Sequence, residues 1–86
     1  MVMTSVGAKP TRFTVFYTGN SSVLVRVLDA LARYGLEPSW VFSRIRQQGG
    51  FRLDVQLSKV CEGRAGTIAA RIANMPDVMG VQWKAG

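Results

Sequence analysis

The chain has 86 residues, which is enough for one domain. Its composition, 48% hydrophobic and 19% charged, excludes a disordered chain. Eleven Lys and Arg against five Asp and Glu give a formal charge of +6, but the arginines are spread along the sequence, which favours a solvated surface over a nucleic-acid patch. No apolar run approaches the ~20 residues of a membrane-spanning helix, and a lone cysteine cannot form an internal disulfide. We therefore predict a cytoplasmic protein without a membrane partner.

The N-terminal part of the sequence predicts a tail followed by a strand. Residues 1–10 have no apolar core of secretory length and are predicted to be a flexible tail, with a single domain over residues 11–86. Residues 12–18 are rich in aromatic and β-branched types and predict the first strand, in which Phe13, Val15 and Tyr17 share one face.

A polar turn and an amphipathic helix follow. Asn20, Ser21 and Ser22 can each cap a helix, because their side-chain oxygens accept hydrogen bonds from unpaired backbone N–H groups. Apolar residues then recur at helical spacing from Val23 onward. Gly35 is suited to end this helix in the left-handed conformation, and Pro38 prevents its continuation.

Two strands joined by a glycine turn come next. Residues 39–46 predict a strand with Trp40, Phe42, Arg44 and Arg46 on one side and Val41 and Ile45 on the other. The turn QQGG leads into residues 51–58, where apolar positions alternate with Arg52, Asp54, Gln56 and Ser58. We expect this third strand to have one face in water.

A second helix over residues 63–74 and a strand over residues 78–84 complete the pattern. The order strand, helix, hairpin, helix, strand predicts an α+β, ferredoxin-like βαββαβ fold, with two helices on one face of a four-stranded antiparallel sheet. Strands one and three are then central and strand two is an edge. Because an apolar edge must be covered, we predict a homodimer through Trp40, Phe42 and Ile45.

The sequence offers no catalytic or metal-binding set. It contains no histidine, its five acidic residues fall one to a segment, and no phosphate-binding glycine motif is present. We predict no intrinsic catalysis, no metal and no cofactor, and we interpret Cys61 as a packing residue. The remaining candidate is the turn over residues 19–22, where a helix N-terminus could bind a carboxylate, although helix capping alone explains the same residues.

Two segments resemble a known family. The run SVLVRVLDALARYGLEPSW is similar to the helix-one region of ACT domains, with Leu24, Arg26 and Val27 at the helix start and Gly35 at its end, and IANMPDVMGVQW is similar to the end of such domains. The resemblance covers residues 12–84 and is nearest to small regulatory subunits of acetolactate synthase. It implies a non-catalytic, ACT-type regulatory subunit that docks on a large thiamine-diphosphate enzyme of branched-chain amino-acid biosynthesis.

The same resemblance implies an effector site. An amino acid would lie against Asn20, Ser21, Ser22 and Val23, facing Glu37 of a second copy. Two positions depart from the family pattern, since Ser22 replaces a glycine and Glu37 replaces an asparagine. Because of these departures, and because the build is that of the short small subunits, we expect subunit docking rather than effector binding, with Arg44, Arg46 and Arg52 as the expected docking surface.

Two alternatives remain open. One is a free-standing ACT-like amino-acid-binding module, which has the same scaffold. The other is an RNA-binding domain, in which aromatic residues of strands one and three stack bases. Phe51 begins the third strand, but Arg52, Asp54 and Gln56 on its outward face offer no aromatic platform, so the sequence argues against nucleic acid.

Overall fold

The computed structural model describes residues 10–19, 22–58 and 60–85. Within these ranges, six elements follow one another in the predicted order. They are β1 (Thr11–Tyr17), α1 (Ser22–Arg33), β2 (Pro38–Ile45), β3 (Phe51–Leu57), α2 (Glu62–Ala73) and β4 (Val78–Ala85).

The four strands form one antiparallel sheet in the order β2-β3-β1-β4. The predicted ferredoxin-like βαββαβ fold is confirmed, with β1 and β3 at the centre and β2 and β4 at the edges. Since crossovers between strands of one sheet are right-handed, both helices fall on the same side. The other side of the sheet is not covered by any element among the described residues.

The core lies between the helices and one face of the two central strands. Phe13 and Val15 of β1 are fully buried opposite Val55 and Leu53 of β3. The helices contribute the remaining apolar layer through Val23, Val27 and Leu31 of α1 and Ala65, Ile68 and Ile72 of α2. The apolar residues that recur at helical spacing in both helices are therefore the ones that pack in the core.

Local turn chemistry explains where the elements end. Gly35 has φ +75°, and the N–H groups of Gly35 and Leu36 donate to the carbonyls of Ala32 and Leu31 at 2.9 and 3.0 Å. This paired arrangement satisfies carbonyls that the helix leaves unbonded, so Gly35 ends α1 as predicted. At the hairpin, Gly50 has φ +78°, and a Cβ there would lie 2.8 Å from the Tyr17 carbonyl oxygen.

The expectation for Cys61 is not met. Cys61 was interpreted as a packing residue, and that is wrong: it is exposed at the N-cap of α2, and its side chain makes no capping hydrogen bond. Val60, one residue earlier, is buried and supplies the apolar contact instead. None of the helices in the described ranges has the length and apolarity needed to span a bilayer.

Candidate functional site

The turn before α1 is the effector site that the resemblance implies, although subunit docking rather than effector binding is expected. Asn20 and Ser21 lie outside the described residues. Ser22 is the first residue of α1, and its hydroxyl oxygen accepts a hydrogen bond from Arg26 at 3.3 Å. Val23 is fully buried, so its side chain belongs to the core and only its backbone could face a ligand.

Glu37 lies at the other end of α1 from this turn. It is exposed, just after the helix and just before β2. Twelve helical residues span about 18 Å at ~1.5 Å per residue. Glu37 and Ser22 are therefore not in contact within one copy of the chain. A site that contains both residues requires Glu37 from a second copy.

A carboxylate that the sequence prediction did not include lies beside the turn. The backbone N–H of Thr18 donates to the Asp77 carbonyl at 2.9 Å, which holds the α2–β4 connection against the end of β1. A Cβ on Gly19 would lie 3.4 Å from Asp77 Oδ2, so the carboxylate is adjacent to the turn. Asp77 has φ +70°, a conformation that Asp and Asn adopt more readily than most residues. No local pattern signals this contact, because 58 positions separate residues 19 and 77.

The β2 edge is the second predicted site. Its backbone pairs with β3 on one side, and no described residue pairs with it on the other. Its apolar side chains are exposed: Trp40 by 38%, Val41 by 40%, Phe42 by 54% and Ile45 by 78%. The structure thus places the three predicted edge residues, Trp40, Phe42 and Ile45, on an unprotected strand.

The sheet surface away from the helices, called the open face below, is a third surface. Its residues form three cross-strand rows running from β4 to β2. The rows are Gly80–Phe16–Arg52–Arg44, Gln82–Thr14–Asp54–Phe42 and Lys84–Arg12–Gln56–Trp40. Cations and aromatic rings dominate these rows, and Asp54 is their only acid.

Asp54 lies at the centre of the open face within a hydrogen-bonded group. Thr14 donates its hydroxyl to Asp54 Oδ1 at 2.7 Å, while Arg52 donates Nε to Oδ2 at 3.0 Å. Burial acts to raise the pKa of Asp54, but these hydrogen bonds and the charges of Arg52 and Arg12 outweigh it and lower the pKa. Asp54 is only 8% exposed, so the expectation that this position faces water is wrong: neighbouring side chains on the same face cover it.

Arginine side chains lie over aromatic rings on the open face. The guanidinium carbon of Arg12 is 5.2 Å from the Trp40 ring centre, and that of Arg46 is 4.7 Å from the Phe16 ring centre. The guanidinium carbon of Arg52 lies 5.9 Å from the centre of the same Phe16 ring. At the hairpin end Phe16, Arg46 and Arg52, with Arg44, line a surface depression of about 560 Å³. The three arginines predicted as a docking surface do therefore converge.

The described residues contain no group of three or more histidine, cysteine or acidic side chains able to hold a metal ion. The candidate features among these residues are a polar turn, an unpaired strand edge and a basic aromatic sheet face. The strand order defines a small ferredoxin-like domain.

The family follows from comparison with known proteins. A family model described as an ACT-like domain matches residues 7–86, and the chain belongs to that family. A search of curated proteins finds no match.

Solved structures with this fold include domains of larger proteins. The C-terminal domain of the MgtC protein from Mycobacterium tuberculosis is 16% identical, with a TM-score of 0.78 over 98% of this chain and 94% of that one. The ACT domain from GTP pyrophosphokinase of Chlorobium tepidum is 6% identical, with a TM-score of 0.73 over 90% of this chain and 99% of that one. Prephenate dehydratase from Staphylococcus aureus is 20% identical, with a TM-score of 0.70 over 92% of this chain and 30% of that enzyme. These likenesses show the fold.

Proposed function

We propose that this chain is a non-catalytic regulatory subunit that activates a larger enzyme, and that the enzyme is the thiamine-diphosphate-dependent acetolactate synthase of branched-chain amino-acid biosynthesis. Family membership and the resemblance of the α1 region to acetolactate synthase small subunits support this proposal. The observation that carries it is the unpaired β2 edge, because an exposed apolar strand is a surface for association rather than for chemistry.

The first contact is with a second copy of the chain. Two β2 edges side by side would extend the sheet from four strands to eight and satisfy the free backbone groups of both edges. Val41 and Ile45, which point to the helix side of β2, would be covered in the same step. Such a dimer also brings Glu37, just before β2, close to the second copy.

Sedimentation velocity tests the dimer. We expect a dimer at micromolar concentration for the unmodified chain and a monomer for the double variant Val41→Lys, Ile45→Lys, since lysines on an edge strand oppose pairing. Val25→Lys on α1 is the matched control, because Val25 is 64% exposed and lies away from the β2 edge. A monomeric unmodified chain would remove the proposed dimer.

Reconstitution tests the enzyme partner. The chain is co-expressed with the large acetolactate synthase subunit of the same organism, and acetolactate production is measured with and without it. We expect co-purification and increased production. Charge reversal at Arg44, Arg46 and Arg52 tests whether these residues form the docking surface, and unchanged activation would exclude them. No association with the large subunit would contradict the proposed function itself.

An amino-acid-binding ACT module is the alternative function, and the position of Asp77 favours it. Its carboxylate beside Gly19 could pair with the ammonium group of an amino acid whose carboxylate lies at the N-terminus of α1. Titration calorimetry with valine, leucine and isoleucine tests this function. Micromolar binding that Asp77→Asn weakens would support it, and Asn is a suitable replacement because it also adopts the left-handed conformation.

A further inference from the structure

We propose that the open face binds single-stranded nucleic acid. This inference goes beyond the proposed regulatory function: it uses the flat surface of the sheet rather than the unpaired backbone of β2, and it shares Arg44, Arg46 and Arg52 with the proposed docking surface. The sequence argued against nucleic acid on the spread of the arginines along the chain and on the outward residues of the third strand. The cross-strand rows add the neighbouring strands, and these supply aromatic rings in Phe16 of β1 and in Trp40 and Phe42 of β2.

The charge of the open face selects an anion. Its cations are Arg12, Arg44, Arg46, Arg52 and Lys84, and the single acid among its described residues, Asp54, is already engaged by Arg52 and Thr14. Face-to-face packing of a second copy would bring these like charges together. Binding of a polyanion is instead favoured by each of these cations, because each contact releases counterions bound to the polyanion.

The exposed aromatic rings favour a polyanion that carries unpaired bases, which is single-stranded nucleic acid. Trp40 and Phe42 lie two residues apart on β2, so they project from the same face about 6.6 Å apart at ~3.3 Å per residue. Phe42 is 54% exposed and makes no ring contact with an arginine, so its face is accessible. Each unpaired base has a π face that can stack on such a ring or on a guanidinium plane, while bases inside a duplex do not.

The geometry fits a short segment of a strand. Three rows of four residues cover about 13 by 14 Å, taking ~6.6 Å between rows and ~4.8 Å between strands. Sheets of this architecture accommodate two or three stacked bases. Arg12 over Trp40 and Arg46 over Phe16 place guanidinium groups at opposite ends of that area, where they can contact phosphates or stack on bases.

The helix side of the molecule provides the contrast. Arg26, Arg33 and Arg71 line a depression there, but Arg33 is paired with Asp29 at 3.1 Å and Arg26 donates to Ser22. These three arginines match the number of open-face cations changed in the triple variant below, and the one aromatic residue lining their depression is Tyr34. Variants of these arginines therefore serve as a control, which tests whether binding requires the open face or only positive charge on the protein.

Fluorescence anisotropy with labelled 12-nucleotide oligouridylate and oligothymidylate tests the proposal on the whole chain. We expect binding at 50 mM salt that weakens about 50-fold at 200 mM, as contacts with about four phosphates of a single strand would give. Phe42→Ala and Trp40→Ala should each weaken binding about 5- to 150-fold, the range for loss of one stacked base. Val25→Ala, an exposed apolar truncation on α1, should leave binding unchanged.

Charge variants and competitors complete the test. The triple variant Arg44→Gln, Arg46→Gln, Lys84→Gln should lower affinity strongly, and Arg26→Gln, Arg33→Gln, Arg71→Gln should not. Circular dichroism confirms that each variant is folded. Absence of binding at 50 mM salt would overturn the proposal, as would equal loss in both triple variants. Equal affinity for a duplex, or for polyglutamate with no effect of Phe42→Ala, would also overturn it and would assign the face to general polyanions or to an acidic protein.

Discussion

At the scale of single residues, Asp54 shows how a charge is retained under a cover of side chains. Asp54 is only 8% exposed, and burial acts to raise the pKa of its carboxyl group. The hydrogen bonds from Thr14 and Arg52 and the charges of Arg52 and Arg12 outweigh burial and lower the pKa. A group whose pKa is lower in the folded than in the unfolded chain stabilises the fold above the unfolded pKa. That stabilisation is lost as the pH falls through the folded pKa.

We therefore expect Asp54→Asn to lower the free energy of unfolding by about 1–3 kcal/mol at pH 7, the usual range for disrupting a buried polar group. The difference between the variant and the unmodified chain should shrink in the acidic range below the ordinary pKa of an aspartate, because the carboxylate of the unmodified chain is then protonated and both are uncharged at this position. Urea unfolding followed over this pH range measures it. Asp29→Asn is the control: its ion pair with Arg33 is exposed, and we expect a change below about 0.5 kcal/mol.

Gly50 illustrates a residue-scale constraint set by the backbone. Its φ of +78° disfavours side chains, and an added Cβ would lie 2.8 Å from the Tyr17 carbonyl oxygen, so a backbone segment would have to move. We expect Gly50→Ala to destabilise the fold by about 1–3 kcal/mol. Gly66→Ala in α2 is the matched control, since a Cβ there meets no atom within 4 Å and alanine favours helix. Thermal unfolding of both variants measures the contrast, and equal melting temperatures would contradict it.

At the scale of elements, α1 separates into a buried and an exposed side. Leu31 is fully buried against the sheet, while Val25 on the opposite side is 64% exposed. We expect Leu31→Ala to lower the free energy of unfolding by about 2–5 kcal/mol through lost burial and the cavity left behind. Val25→Ala should change it by less than about 0.5 kcal/mol. Urea unfolding at a single pH compares the two, and similar losses would mean that the helix is packed on both sides.

The elements themselves could be predicted from the sequence, whereas the open face could not. Alternation within each strand shows which residues share a face, and Gly35 marks the end of α1 by local chemistry. The pairing of Arg12 with Trp40 across β3 depends on the register between strands. That register is set by the hairpin and by irregularities in pairing near the start of β2 and at the Phe16–Tyr17 step of β1. The burial of Asp54 and the approach of Asp77 to Gly19 depend on the same non-local pairing.

At the scale of the whole molecule, the β2 edge and the open face are different surfaces of one sheet. Val41 and Ile45 point to the helix side, and the aromatic and basic rows point to the other. In a dimer through β2, the Trp40 and Phe42 side chains of both copies would lie near the middle of a joined face. Dimerisation would then lengthen the basic aromatic surface without covering it.

Because the two surfaces are separate, we expect one set of variants to lose dimerisation and the other to lose oligonucleotide binding. The double variant Val41→Lys, Ile45→Lys should abolish the dimer, while each protomer still binds the oligonucleotide. If the two joined faces of a dimer bind one strand together, the affinity of this variant should be about 10- to 100-fold lower. The triple variant Arg44→Gln, Arg46→Gln, Lys84→Gln should retain the dimer in sedimentation velocity and lose oligonucleotide binding. The two assays are run on the same preparations at the same salt concentration. If either variant lost both properties while remaining folded, association and binding would share one surface, and the assignment of two surfaces to this sheet would be wrong.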